Sequence, residues 1–431
     1  MVDVWLPYGT TNVCVRVPAR NLLGTIEPKE QIGAVDPKAE ISRALREPLG
    51  AKRLSEIAKP ESTVAIVVDD ATRHTQTSLM LPPVLEELHA AGVKDENITI
   101  IFGCGTHRPV KPEEAKKIIG EEIFDRIKYI SHDCKAQDLA EYSNTKTHGN
   151  KVWLNPTFAQ ADIKVLLGDV NLHYYAGYGG GRKSVLPAIA GEETIKHNHA
   201  LLLSTNAKTG ILSENPVHED MTEAAKMARV DFILNIVANS KNEIVKAFAG
   251  DLEMAFLEAV KIVDSMYKVT IDRRADIVVV SPGGYPADIN LFQAYKAVDN
   301  AMEALKRGGV LILVAECPEG HGNQVFYEWM TRFGELKAVE REIRRNFVLG
   351  GHKAYYLLKA LQNHQIILVS SMPDYYAANI FKLKTARAVN DALNEAFSIA
   401  GRNARVLAMP YGSYTLPEVK LTDESQTEIQ L

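Results

Sequence analysis

Short apolar, strand-like runs alternate with helix-period segments along almost the whole chain, and this alternation predicts an α/β protein with largely parallel sheets. In the first half the clearest runs span residues 63–68, 98–102, 163–167 and 232–237. Helical stretches are expected at 81–91, 112–119, 221–228 and 252–267, where apolar residues recur three and four apart. A second series of runs opens at 277–280 and continues at 310–314, 366–369 and 406–408. Between the two series lies the polar stretch Asp272-Arg273-Arg274, which sets a domain boundary near 268–275. The 431 residues then divide into an N-terminal α/β domain, 1–267, and a C-terminal α/β domain, 268–416, with a polar, acid-rich tail at 417–431. The active site is expected in the cleft between the two domains.

Bulk composition narrows the class. The net charge of −5 is modest and Lys and Arg are spread along the chain, which argues against nucleic acid or an anionic membrane as the main partner. No apolar run approaches the roughly 20 residues that span a bilayer. Residues 1–10 lack the basic stretch and apolar core of a secretory signal. Cys14, Cys104, Cys134 and Cys317 lie far apart with no CxxC pair, which disfavours a disulfide framework, an iron–sulfur cluster or structural zinc. A reducing cytoplasm is the expected setting.

In open parallel sheets, ligands bind at the carboxyl ends of the strands. Three loops at such ends hold the chemically notable residues of the first half: Asp69-Asp70-Ala71-Thr72-Arg73-His74-Thr75, Gly103-Cys104-Gly105-Thr106-His107-Arg108, and Gly168 to His173 running into Gly177-Tyr178-Gly179-Gly180-Gly181-Arg182-Lys183-Ser184. The 70–73 loop reads either as an N-cap cluster ahead of a helix or as an anion site in which Asp70 orients a forked Arg73. His107 and His173 each read as structural or as proton-transfer groups, and both fall at strand ends of one predicted cleft. The glycines before Lys183 resemble a phosphate loop, but Arg182 separates the last glycine from the lysine and breaks the GxxxxGK[ST] pattern. Close backbone approach to an anionic ligand, with Lys183 as a point charge or a covalent attachment site beside it, is the alternative to a plain flexible turn. His197 and His199, two apart, face different ways on a helix, so at most one of them serves as a metal ligand. In the second half, Gln293 and Lys296 share a helix face, either as ordinary surface or as an amide and a cation for a substrate carboxylate.

Together these segments resemble the lactate racemase family. The resemblance is carried by Asp70-Ala71-Thr72-Arg73, Gly105-Thr106-His107-Arg108, His173 with Gly177 through Lys183, Asn198-His199, and Gln293-Ala294-Tyr295-Lys296. It implies a nickel-pincer nucleotide, a pyridinium-3,5-bisthiocarboxylic-type mononucleotide holding Ni2+ through sulfur, carbon and sulfur. It further implies a covalent thioamide link at Lys183, His199 as the fourth nickel ligand, and His107 and His173 as acid and base. Asp70, Ala71, Thr72 and Arg73 would line the cofactor, and Arg73, Gln293 and Lys296 the substrate. Separate maturation proteins would make the cofactor.

Four-coordinate nickel with a soft, planar ligand set explains why no cluster of several protein ligands is needed. The implied reaction is racemisation or epimerisation of a small 2-hydroxy acid. The α-hydrogen leaves as hydride while one histidine takes the hydroxyl proton, and a planar 2-keto acid is reduced again on its other face. Phe292 stands where the family's lactate enzymes carry tyrosine, and residues 350–356 lack an expected tryptophan. These departures leave lactate, malate, longer aliphatic, aromatic and sugar acids open as substrates. Two other classes compete: a non-catalytic two-domain binding protein for an anionic metabolite, and a nucleotide hydrolase.

Overall fold

The apolar runs of the first half become neighbours in one six-stranded sheet. The computed structural model, which describes residues 1–73 and 75–420, orders it as Ile244–Gly250, Phe232–Ala238, Ile163–Asp169, Val64–Asp69, Ile98–Gly103 and Lys128–Ser131. All pairs are parallel except the first, Ile244–Gly250 with Phe232–Ala238, which is antiparallel. The central strands are buried on both faces, as a parallel sheet covered by helices requires. On one face Ile66, Val68, Ile100 and Val165 pack with Ile41, Leu45, Met80, Val84 and Leu88 from helices Pro37–Arg46 and Thr77–Ala90.

The second sheet runs Lys384–Ala386, Gln365–Val369, Leu305–Val314, Ala275–Val280, Val406–Met409 and Leu22–Thr25, and all its pairs are parallel. Its edge strand, Leu22–Thr25, comes from the beginning of the chain. The molecule thus consists of two α/β units, Glu30–Ser265 and a second built from Met1–Lys29 with the chain from Met266 onward. The expected N-terminal domain of residues 1–267 differs from this division in its first 29 residues, which cluster with the second unit. The hairpin of Val2–Tyr8 and Thr11–Val17 has one apolar face, Val4, Leu6, Val15 and Val17, which it buries with Ile277, Val310 and Val406 of the second sheet. A two-stranded hairpin cannot hide that face alone, and nothing local tells it which sheet to join.

Other differences are local. Lys268–Ile271 pairs in parallel with Leu416–Val419, so the expected tail begins inside a strand, while residues 421–431 of it lie outside the described residues. The helix expected at 221–228 starts at Pro216, where Asn215 accepts from the amides of Val217 and His218 at 3.1 and 3.3 Å and proline occupies the first turn. The helix expected at 81–91 starts at Thr77 and carries Pro82 and Pro83 inside it.

Candidate active site

Asp69, Gly103 and Asp169 are the last residues of three adjacent parallel strands, and the residues singled out above follow them. Asp70 is buried at 4% exposure. One carboxylate oxygen accepts from the Thr72 amide at 3.0 Å and the Thr72 hydroxyl at 2.6 Å; the other meets Nδ1 of His107 at 2.7 Å. Burial alone would raise the Asp70 pKa, but the hydrogen bonds from His107 and Thr72 outweigh it and hold the carboxyl below its usual range. An ionised Asp70 only accepts, so Nδ1 of His107 carries a proton and Nε2 is left as the basic nitrogen. Asp70 therefore orients His107. Its side chain does not orient Arg73, and it caps no helix, since the next helix begins at Thr77 behind Gln76. Ala71, Thr72 and Arg73 are exposed.

Beyond Asp169 the chain forms a two-residue ribbon, Leu172–His173 against Gly177–Tyr178. Nδ1 of His173 accepts the Ala176 amide at 3.3 Å, which puts the proton of the neutral ring on Nε2. The ring stacks on Tyr174 at 4.9 Å and meets the edge of Tyr175 at 4.5 Å. Burial, with the charges of Lys183 and Arg73, holds His173 well below an ordinary histidine.

The glycines that follow answer to packing. Gly177 and Gly180 both have φ +75°; a Cβ on Gly177 would stand 2.2 Å from the Ile211 carbonyl oxygen, and one on Gly180 2.8 Å from that of Asp169. The amides of Gly179, Gly181 and Lys183 are already bonded, to Asn171 O (2.8 Å), Asn235 Oδ1 (2.9 Å) and Gly180 O (3.2 Å). The expected cradle of free amides for an anion is not what this loop builds. Lys183 leaves from the single turn Gly181–Ser184, partly buried, and burial together with the charges of Arg73 and Arg182 pushes it well below an ordinary lysine. Asp69 and Asp169 pull the other way. These two carboxylates share the Thr75 hydroxyl, at 2.5 and 3.0 Å, and burial with the charge of Asp169 raises Asp69 to about 6.

His199 is buried near the end of helix Glu192–Ala200, its ring 5.3 Å from that of Tyr175. Burial and the Lys183 charge lower it to about 3, so it is a neutral imidazole. The helix is anchored by the residue before it: Asn198 donates to Asp220 at 2.9 Å and to Val217 O at 3.1 Å. Asp220, fully buried, also accepts from Thr145 at 2.7 Å and Asn150 at 2.8 Å. His197 is exposed and bonds to His148 O at 3.0 Å, the divergence expected of histidines two apart. Among the described residues no three His, Cys, Asp or Glu side chains are grouped to hold a metal by themselves.

Gln293 and Lys296 belong to the second unit. Both lie on helix Leu291–Met302, which Asn290 caps by accepting the Gln293 amide at 3.0 Å. Gln293 is partly buried and Lys296 exposed. Lys353, which sequence reasoning passed over, approaches this helix with Nζ 5.0 Å from the ring centre of Tyr295 and 5.5 Å from that of Phe292. Burial and the neighbouring Lys296 lower it to about 7. Thr75 and Asp169 fell within the strand-end loops but were given no role, and Asn235 and Asp220 were missed because their partners are remote in sequence. Asp69 and Asp169 had one visible signal, an acid as the last residue of an apolar strand.

Two family models match the chain, the lactate racemase N-terminal domain over residues 8–210 and the lactate racemase C-terminal domain over residues 270–415. Lactate racemase from Thermoanaerobacterium thermosaccharolyticum is 34% identical over 421 residues, covering 96% of this chain and 98% of that protein. Lactate racemase from Lactiplantibacillus plantarum is 30% identical, covering 96% and 99%. The structure of the T. thermosaccharolyticum lactate racemase apoprotein superposes with a TM-score of 0.88, covering 97% of this chain and 100% of that one at 31% identity. A Thermotoga maritima protein of 20% identity shares the fold, with a TM-score of 0.61 over 89% and 97% of the two chains. Agreement in sequence and fold across both units decides against the binding-protein and nucleotide-hydrolase readings: the chain belongs to the lactate racemase family and is an isomerase.

Proposed function

We propose that this enzyme interconverts the enantiomers or epimers of a 2-hydroxy acid, with lactate the first substrate to test, and that it does so with a nickel-pincer nucleotide tethered at Lys183. The observation that carries this reading is that the two histidines are held as opposite tautomers. In its neutral ring His107 leaves Nε2 as the acceptor because Asp70 accepts its Nδ1–H, whereas His173 presents Nε2–H because Nδ1 accepts the Ala176 amide. Racemisation needs a base on one face of the reacting carbon and an acid on the other, and the roles exchange in the reverse direction.

The residues present suit such a cofactor. Burial and the charges of Arg73 and Arg182 favour the free amine of Lys183, the form that a thioamide link requires. A single buried, neutral imidazole at His199 suits a metal whose other ligands are not protein side chains. Held by Lys183 and His199, such a group would supply hydride-acceptor and hydride-donor chemistry at the α-carbon. In one direction His107 would remove the hydroxyl proton and His173 would give its Nε2 proton to the oxygen of the 2-keto acid; the extra proton on His107 would then pass back to His173 through solvent, so that both rings end neutral. Arg73, with Gln293 and Lys296, binds the substrate carboxylate by a fork, an amide and a point charge. Ala71 and Thr72 follow Asp70 along the cofactor. Maturation proteins that synthesise the nucleotide, and a cytoplasmic location, belong to the same reading.

The test is made on protein purified from a host that makes the cofactor. Its denatured mass should exceed that of the bare chain by one nucleotide-derived group, and Lys183→Ala should lose the excess. Loaded enzyme given single enantiomers of lactate and other 2-hydroxy acids should yield the opposite enantiomer by chiral chromatography. Loaded protein that racemises none of them overturns the proposal, as does wild-type protein from such a host with neither added mass nor nickel.

A further inference from the structure

Arg182 spoiled the phosphate-loop pattern, and the roles above use only its charge, which helps to lower Lys183. It is 2% exposed and makes no ion pair among the described residues. Withdrawing a guanidinium from water without an ionised partner is costly, and an apolar side chain would fill the same space without that penalty. What the guanidinium meets is the backbone of its own loop. Nη2 donates to Ala176 O at 2.7 Å, and Nη1 to Gly180 O at 3.2 Å and Gly179 O at 3.4 Å. Its central carbon lies 4.4 Å from the ring centre of Phe256, on helix Met254–Tyr267. Nε has no hydrogen-bond partner, so every polar contact of the side chain goes to the turn it closes. That turn contains Gly177, Gly180 and Gly181, all at positive φ, where glycine is free to take many other shapes. A planar fork of five donors can collect several carbonyls at once, which an ammonium on a flexible stem does poorly.

We propose that Arg182 is a positioning residue for Lys183, its guanidinium locking the turn 176–181 from which the lysine projects. The functional consequence rests on Lys183 being the tether; the locking itself does not.

Deuterium exchange on the full chain without cofactor tests the locking. In Arg182→Ala the amides of Gly179, Gly181 and Lys183 should exchange about tenfold faster or more, while those of strand Ile163–Asp169 keep their protection. Arg182 also lines a solvent-open cavity of 360 Å³ with His218, Phe256 and Leu257. Guanidinium chloride far below denaturing concentration should enter there and restore protection in Arg182→Ala, and methylammonium chloride should not. Arg182→Lys keeps the charge without the fork and should leave the turn exchanging fast, so it decides alone if the alanine variant does not fold. In a host that makes the cofactor, the share of chains with added mass should fall about tenfold or more in both variants. Unchanged exchange in the turn overturns the proposal, as do a rise shared equally by the whole sheet and full recovery in Arg182→Lys. Wild-type chains that never gain mass, with the exchange results as expected, would remove the tether reading and leave the locking in place.

Discussion

At the scale of single residues, function depends on which nitrogen or oxygen holds a proton. The carboxylate of Asp70 decides that for His107, through a 2.7 Å hydrogen bond. Asp70→Asn keeps the shape but removes the charge that fixes the tautomer. In loaded enzyme it should lower kcat by about 10²- to 10⁴-fold with KM nearly unchanged. Steady-state kinetics on both enantiomers would check this; a rise in KM at constant kcat would instead place Asp70 in substrate binding. Lys183 follows the same logic: burial and the charges of Arg73 and Arg182 shift this partly buried lysine towards the free, nucleophilic amine, which an exposed lysine does not favour.

At the scale of elements, short pieces of structure hold the site residues, and side chains from elsewhere in the chain hold those pieces. Helix Glu192–Ala200 carries His199, and its attachment runs through Asn198 to Asp220 on helix Pro216–Met227. Asp220→Ala would leave the donors of Thr145, Asn150 and Asn198 buried without their acceptor. It should cost about 3–5 kcal/mol in urea unfolding of the cofactor-free chain. Asp220→Asn, which keeps one acceptor oxygen, should cost less. Equal losses in the two variants would mean that the cavity, and not the hydrogen bonding, dominates.

At the scale of the molecule, the Glu30–Ser265 unit keeps an unusual number of histidines neutral in its interior. Burial lowers His132, His173, His199 and His218, the last two to about 3. A histidine whose folded-state pKa lies below its unfolded value contributes its full stability above about pH 6.5. It loses that stability as the pH falls from 6.5 towards the folded value, because the unfolded chain takes up the proton first. His199 and His218 should therefore each cost about 2 kcal/mol between pH 7 and pH 5. The urea midpoint of the cofactor-free chain should drop steeply over that range, and His218→Gln should flatten the drop. A midpoint constant from pH 7 to pH 5 would show that these rings are solvated.

The sequence by itself determined the α/β class and the strand ends at which the site residues fall. Strand and helix periods are local properties, and strand-end loops are where a parallel sheet exposes functional groups. The same local chemistry exposed His107, His173, Lys183 and His199 as candidates, through a motif block long enough to be specific. Tertiary structure alone decided that the first 29 residues complete the second unit, because a hairpin's apolar face does not state which sheet it will cover. It alone decided that Asp70 serves His107 and not Arg73, and that the glycines ahead of Lys183 are required by packing. Arg182 is the clearest case. In sequence it only interrupts a pattern, while in the folded chain its fork gathers three carbonyls of the turn that presents Lys183. Hydrogen-bond partners and close approaches are set by how separate segments pack together, and no spacing along the chain records them.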